Sequence, residues 1–297
     1  LKLEQVAGNT YYINFPSLIG VYVFPDGGCL LIDSGASSAF AQKAKKVLDD
    51  EGLRVEAIFN THAHADHSGG NRFWQEAYGC DIYATPFEAA FMENALLGPF
   101  CLYTASPVDM LRNKFLMPEP SQVTHRIRPG DLIIKETGFK VLDLAGHAME
   151  QAGLVTPDGV LFSGDAIITE HNLDKFPFVY MADLEKHMTT LQYLKENIYP
   201  YTVVGHGGIL EQVEQTLSKN EEIIKHILAV IEKFILSPRS REEIVAHVIK
   251  EMALPDNRNQ YILISGTISA YLAYLCNNKK ARIFTEENNL KWVLAKR

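Results

Sequence analysis

In Thr61-His62-Ala63-His64-Ala65-Asp66-His67, four side chains able to bind a metal ion fall within six residues. Neutral imidazole and carboxylate are the borderline-to-hard donors that hold a divalent zinc-type ion. None of the four lies on an apolar stripe, so core packing does not account for them. The run follows an apolar strand ending at Ile58-Phe59 and precedes Ser68-Gly69-Gly70 and a helix over about residues 70–78. A strand end fixes such side chains, while the loop after it lets several converge. Three further segments share one pattern, an apolar strand closed by glycine and then a ligand-type residue. They are Leu144-Ala145-Gly146-His147, Phe162-Ser163-Gly164-Asp165 and Val204-Gly205-His206. Glycine before a ligand permits a sharp turn or a close backbone approach. Taken singly, a histidine at a strand end is more often an ordinary hydrogen-bonded residue than a ligand. Beside the first run, all three read as ligands.

The elements that must position these residues alternate along the chain. Residues 11–15, 19–24 and 29–33 read as strands, with a turn at Asp26-Gly27-Gly28, and residues 37–51 carry helical spacing. Residues 55–59 form the strand before the histidine run. Strands return near 131–134 and 139–144, and residues 154–162 form a hairpin turning at Asp158-Gly159. Residues 183–197 read as a helix and 202–204 as a short strand. Beyond Gly208 the pattern becomes helical: one or two helices over 210–236, one opened by the capping box Ser240-Arg241-Glu242-Glu243, and one over 268–275. Residues 281–284 and 292–294 are then placed to pair as a hairpin. Three helices and a hairpin make a winged-helix-like order, so a boundary is expected near residue 215, with units 1–215 and 216–297.

The bulk properties narrow the function. Of 297 residues, 47% are hydrophobic and 22% charged, the balance of a globular chain. No apolar stretch reaches the ~20 residues of a membrane span, and Leu1-Lys2-Leu3-Glu4 does not open a secretory signal. Cys29, Cys80, Cys101 and Cys276 are scattered, the pattern of free thiols in a reducing cytoplasm. Residues 1–219 hold 16 Lys and Arg against 27 Asp and Glu, whereas residues 220–297 hold 12 against 9. The acidic main body argues against a polyanionic substrate, and the basic excess of the tail is thin for phosphate binding. A small-molecule substrate is expected, with nucleic acid disfavoured and no membrane.

Over roughly residues 10–210 the chain resembles the metallo-β-lactamase superfamily, whose ordered signature is His-x-His-x-Asp-His, then His, Asp and His. The resemblance implies an α/β fold, an αββα sandwich of two sheets face to face with helices outside, and the strand and helix reading agrees with it. It implies that His62, His64 and His147 hold one metal and that Asp66, His67 and His206 hold a second, with Asp165 bridging. Two zinc ions are expected, with iron or manganese as alternatives. A hydroxide between them would attack a thioester, ester or lactone, with Asp66 also orienting or shuttling a proton. A bridging aspartate is a feature of the glyoxalase II-type members and points away from β-lactam hydrolysis.

The sequence also departs from its relatives. Ala148-Met149-Glu150-Gln151 follows His147 where relatives often have Ser or Thr, Pro and Gly. Ala166-Ile167-Ile168-Thr169-Glu170-His171 follows Asp165 without the Lys or Arg that holds glutathione in glyoxalase II enzymes. Between His67 and His147 stand 79 residues, and the apolar stretch 85–117 within them reads either as a lid for an apolar substrate or as core packing or a dimer interface. His171 and Tyr180 are candidates for facing the metals, against a surface or packing role for each. His125, His187, His226 and His247 read as solvated. The competing functions are a mononuclear iron oxygenase of the persulfide dioxygenase type and a nuclease using the C-terminal unit. That unit reads more readily as a homodimerisation module.

Overall fold

The strands of the first sheet alternate their side chains between two hydrophobic layers, and this alternation builds the fold. In the computed structural model, which describes residues 1–255 and 257–295, seven strands lie in chain order. They are β1 (Leu3–Ala7), β2 (Thr10–Ile13), β3 (Ile19–Val23), β4 (Gly28–Ile32), β5 (Arg54–Phe59), β6 (Asp81–Ala84) and β7 (His125–Arg126). Neighbours from β1 to β4 are antiparallel, and β4 to β7 run parallel. Along β4, Cys29 and Leu31 face one way and Leu30 and Ile32 the other, the period of two that a strand imposes. The first pair packs under α1 (Ser38–Asp50), a one-turn α2 (Ala65–Ser68), α3 (Asn71–Tyr78) and α4 (Pro86–Glu93), where Ala44, Leu48, Trp74 and Met92 are buried. The second pair meets the other sheet.

That second sheet has the order β13-β12-β11-β10-β9-β8. Its strands are β8 (Gly130–Ile134), β9 (Thr137–Asp143), β10 (Ala152–Val155), β11 (Val160–Phe162), β12 (Tyr201–Val204) and β13 (Gly208–Ile209), all antiparallel except β11 with β12. Tyr22, Phe24, Leu30 and Phe59 pack against Phe139, Val141, Leu154 and Phe162 to fill the space between the sheets. Leu142, Leu161 and Val204 point out of the opposite face. They are covered by α7 (Leu184–Glu196) and α8 (Val213–Phe234), with α5 (Leu97–Tyr103) and α6 (Glu170–Lys175) preceding them in the chain. Helix, sheet, sheet, helix is the αββα order expected.

The C-terminal stretch continues with α9 (Arg241–Glu251) and α10 (Arg258–Asn277), then the hairpin of β14 (Ala281–Glu286) and β15 (Asn289–Leu294). The capping box read at Ser240 is formed: Ser240 Oγ accepts from Glu243 N and Glu243 Oε2 accepts from Ser240 N. Residues 210–236 hold a single helix, and α10 is far longer than the 268–275 anticipated, starting where the Asn257 side chain accepts from Gln260 N. Residue 215 lies inside the first turn of α8. Leu217, Ile224 and Ile231 of that helix share one apolar cluster with Leu142 and Leu161 of the sheet and with Ile264 and Tyr271 of α10. β1 escaped the sequence reading because Leu3-Glu4-Gln5-Val6-Ala7 is a half-buried edge strand with little apolar contrast. All four cysteines are unpaired, and among the described residues no helix is long and apolar enough to cross a membrane.

Candidate metal centre

Strand direction brings the site residues together. The run containing His62, His64, Asp66 and His67 follows β5, His147 follows β9, Asp165 follows β11 and His206 follows β12. β9 and β11 are both antiparallel to β10, and β12 is parallel to β11, so these three strands point the same way and end at one edge. There the seven side chains fall into three overlapping groups of ligand atoms: His62 with His64 and His147, His62 with His67 and Asp165, and Asp66 with His67 and His206. All of the residues singled out in the sequence as candidate ligands converge.

Glycines make that convergence possible. Gly205 carries no side chain because a Cβ there would stand 2.2 Å from Asp165 Oδ1 and 2.7 Å from His67 Cε1. At Gly146, φ is +136° and a Cβ would lie 2.3 Å from His187 Cα.

The tautomers are set by what each ring's other nitrogen holds. Thr61 Oγ1 donates to Asp33 Oδ2 at 2.9 Å, so it accepts from His62 Nδ1 at 3.0 Å. His147 Nδ1 donates to the Tyr180 carbonyl at 2.9 Å, and His206 Nδ1 donates to the Pro16 carbonyl. His67 Nδ1 donates to Asp33 Oδ2 at 2.8 Å. Four rings therefore turn Nε2 inward. His64 instead offers Nδ1, which lies 3.0 Å from both His62 Nε2 and His147 Nε2. Two lone pairs thus face one nitrogen that can donate at most a single proton. A cation resolves this arrangement, because three nitrogens at ~2.0–2.1 Å from one ion stand about 3 Å apart. Burial first, then neighbouring histidines, push the His62 pKa well below its ordinary value and that of His64 down to about 4, although the outer edge of His64 is open to solvent. Burial also lowers His147. All three are neutral donors.

The second group is the reverse. Burial opposes charge on His67 and His206, yet Asp165 and Asp66 outweigh it and raise both rings, His206 to about 10. His67 Nε2 lies 3.4 Å from Asp165 Oδ1 and 3.6 Å from Asp66 Oδ2, and it forms no hydrogen bond. Asp165 Oδ1 is buried and unpartnered too. Asp165 Oδ2 stands 3.3 Å from His206 Nε2 and 3.6 Å from His147 Nε2, so this carboxylate reaches both groups. Asp66 Oδ2 is 3.1 Å from His206 Nε2 and accepts from Ser17 Oγ at 3.1 Å. Burial opposes ionisation of Asp66 and Asp165, but His67 and His206 hold both carboxyls below the usual range. Orphaned buried donors, neutral imidazoles and carboxylates without a lysine or arginine partner among the described residues fit one or more divalent cations.

Two residues that support the site were not singled out from sequence. Asp33, at the end of β4 with φ +62°, accepts from Thr61 N at 2.8 Å, Thr61 Oγ1 and His67 Nδ1. Its signal was a lone carboxylate closing the apolar run Cys29-Leu30-Leu31-Ile32. Asp33→Asn keeps the tolerance for positive φ but removes the charge that orients His67. We expect metal affinity at the Asp66, His67 and His206 group to fall about 10–100-fold, read by competition with a chromophoric chelator. Unchanged affinity would show that Asp33 only braces the backbone.

Glu88, in α4, is the other. Its Oε2 accepts from Ala63 N at 2.8 Å and its Oε1 from Glu150 N at 3.1 Å, clamping the His62 loop to the His147 loop. Burial raises its pKa. Nothing in the sequence marked it except a charge inside an apolar helix. Glu88→Ala strands one buried and one part-buried N–H group and should cost the metal-free protein about 2 kcal/mol, measured by urea unfolding. A loss under about 0.5 kcal/mol, the ordinary range for a surface change, would refute the clamp.

His187 was expected to be solvated and is not. It is fully buried in α7 behind Gly146 with both ring nitrogens unpartnered, and burial pushes its pKa down to about 3. The helical periodicity of α7 turned it inward among Leu184, Leu191 and Leu194. His125 and His226 are exposed, and His247 stacks half-buried on Phe234. Tyr180 gives its carbonyl to His147, while its hydroxyl donates to Gln260 of α10. His171 is exposed and lines a cleft shared with His206.

A four-layer sandwich whose strand ends gather five histidines and two aspartates defines a class of metal-centred proteins. Residues 13–206 match the family model described as the metallo-beta-lactamase superfamily, and the chain belongs to that superfamily. A hydroxyacylglutathione hydrolase of Thiobacillus denitrificans is 30% identical over 123 residues, which are 40% of this chain and 36% of that one. A beta-lactamase-like protein 2 homolog of Caenorhabditis elegans is 23% identical over 237 residues, 77% of this chain and 68% of that one. The match therefore spans little more than a third of the first relative's length. In fold, the chain is similar to a metallo-beta-lactamase family protein from Thermus thermophilus, with TM-score 0.75 and 19% identity over 96% of this chain and 98% of the other.

Proposed function

We propose that the protein is a hydrolase that uses two divalent ions, zinc foremost, to cleave a thioester, ester or lactone of a small molecule. The observation that carries this reading is the placement of Asp165 between two complete ligand groups. His62, His64 and His147 would hold one ion, and Asp66, His67 and His206 the other. When bound, such a pair supplies a polarised carbonyl and a water acidified to near neutral pH. The protein's own part is to fix the ligands through Asp33, Thr61, Tyr180 and Pro16, and to hold a carboxylate at Asp66 Oδ2 for the proton released. An oxygenase with one iron shares the His-x-His-x-Asp-His loop but would fill a single group, so metal identity and count separate the two readings.

Residues 216–297 are proposed to act as one unit, with the winged-helix-like order of three helices and a hairpin. Homodimerisation is favoured over nucleic-acid binding, because the basic excess there is slight. The family supports hydrolysis without fixing the substrate, and a cytoplasmic location is proposed on the four scattered, unpaired cysteines alone. Elemental analysis of purified protein, followed by thioester, lactone and phosphodiester screens, tests the reading. Two equivalents of zinc with thioester or lactone turnover are expected. One equivalent of iron with oxygen consumption, or phosphodiester cleavage alone, would overturn it.

A further inference from the structure

The C-terminal hairpin leaves one strand edge open. Trp292 N donates to the Arg239 carbonyl at 2.8 Å, and the Trp292 carbonyl accepts from Arg239 N at 3.0 Å. The main chain of Trp292 therefore points away from β14. Ile283 stands opposite Trp292 in register, so its own N–H and carbonyl point away from β15. Thr285, two residues on, does the same. Among the described residues no strand meets that edge. Arg282, Ile283, Thr285 and Glu286 are exposed along it.

An open edge with apolar side chains is a template for pairing with another chain, and its charges decide which chain fits. Among the strands at sheet edges, β14 alone carries both signs. β1 carries Glu4, β8 Asp131, β15 Lys291 and β7 Arg126, and β13 carries no charge. Arg282, Phe284 and Glu286 share one face of β14, in the order cation, aromatic, anion. The strand is thus its own antiparallel complement. A two-fold axis at Phe284 sets Ile283 opposite the partner's Thr285, and Thr285 opposite the partner's Ile283. These residues hold the outward main-chain groups, so each pair can exchange both hydrogen bonds. Arg282 then faces the partner's Glu286, and Glu286 faces the partner's Arg282. Phe284 meets the partner's Phe284 at a closely spaced, non-hydrogen-bonded position. On the other face, Ile283 is 50% exposed in the single chain and Leu290, opposite Thr285 in the hairpin, is 48% exposed. Pairing brings Ile283 beside the partner's Thr285 and Leu290. Nucleic acid is the poorer occupant, because Glu286 and Glu287 at the hairpin turn repel phosphate.

We propose that β14 is the surface through which two copies of this chain pair, edge to edge and antiparallel about Phe284. The proposal rests on the dimerisation reading of residues 216–297 above and gives it a surface and a register.

The test uses the full chain in sedimentation velocity. Wild type should pass from monomer to dimer within about 1–200 µM, the range of a small, partly polar interface. Arg282→Glu and Glu286→Arg each set like charges opposite one another in both cross-strand pairs, and each should raise the dimer Kd at least about tenfold. The double variant exchanges the charges and should return to within about threefold of wild type, a rescue that damage to the hairpin would not give. In a Cys101→Ser background, Phe284→Cys should form an intermolecular disulfide under mild oxidant, because the axis sets that position against its own copy. Ile283→Cys, offset from its own copy, should not. A wild type that stays monomeric throughout overturns the dimerisation reading and this surface with it. A wild-type dimer that survives both charge reversals leaves that reading standing and overturns the assignment to β14. So do a double variant that is not rescued and crosslinking of Ile283→Cys in place of Phe284→Cys.

Discussion

Asp165→Ala is expected to abolish turnover, by at least about a thousandfold, and to reduce bound metal from the two equivalents proposed to one or fewer. A thousandfold corresponds to about 4 kcal/mol of lost transition-state stabilisation. The expectation follows from the reach of this carboxylate. Its two oxygens stand 3.3 Å from His206 Nε2, 3.4 Å from His67 Nε2 and 3.6 Å from His147 Nε2, so one side chain serves both ligand groups. Removing it takes a negative charge from a site whose other carboxylate, Asp66, lies with the second group only. Asp165→Asn tests charge apart from size and should lose the second equivalent while keeping the first. The metal-free variant offers an independent readout. Asp165 leads the attractions that raise His206 to about 10 against burial, so the ring should titrate lower once the carboxylate is gone. A variant with wild-type metal content and rate would end the dinuclear reading.

Stripping the metal should destabilise the fold and reveal two ligand groups with different pH behaviour. A ligand present at a thousandfold excess over its Kd stabilises by about 4 kcal/mol, so the two ions proposed would contribute about 8. For a chain of this size, that corresponds to a fall in Tm of more than about 10 °C on chelation. The pH dependence follows from the proton each ion must displace. His62, His64 and His147 are depressed, His64 to about 4, and carry no proton at neutral pH. Binding to them should vary little between about pH 6 and 8, because free and loaded states hold the same protons there. His67 and His206 are raised, His206 to about 10, and hold protons until a cation takes their place. Loading of that group releases about two protons, so its apparent affinity rises with pH and levels off only near the raised pKa values. Calorimetry of zinc binding in buffers of different ionisation enthalpy counts those protons. Two steps with equal proton release would refute the asymmetry.

Some of the chemistry was legible because it is local. Four ligand-type side chains in six residues need no tertiary context to be noticed, and a glycine before each remaining ligand marked three strand ends. The asymmetry within that set was not legible. His62 and His67 are the same residue type five positions apart, yet one is depressed and the other raised: burial and the neighbouring His67 and His64 outweigh Asp165 at His62, whereas Asp165, Asp66 and Asp33 together outweigh burial at His67. Glu88 and Asp33 act through backbone amides and a ring nitrogen supplied by distant segments, and no spacing rule encodes such contacts. His187 was misjudged because a lone polar residue in an amphipathic helix lies one turn position from either face.

The sequence alone determined the strands and helices that flank the site and which residues can bind a cation, since strand alternation, helix caps and donor chemistry are short-range properties. Tertiary structure decided that β9, β11 and β12 run in the same direction, so that Gly146, Gly164 and Gly205 present their ligands at a single edge. It also decided which imidazole nitrogen each histidine turns inward, because that depends on the partner waiting at the other nitrogen. Both are matters of long-range packing, in which the free energy belongs to pairs of residues far apart in the chain.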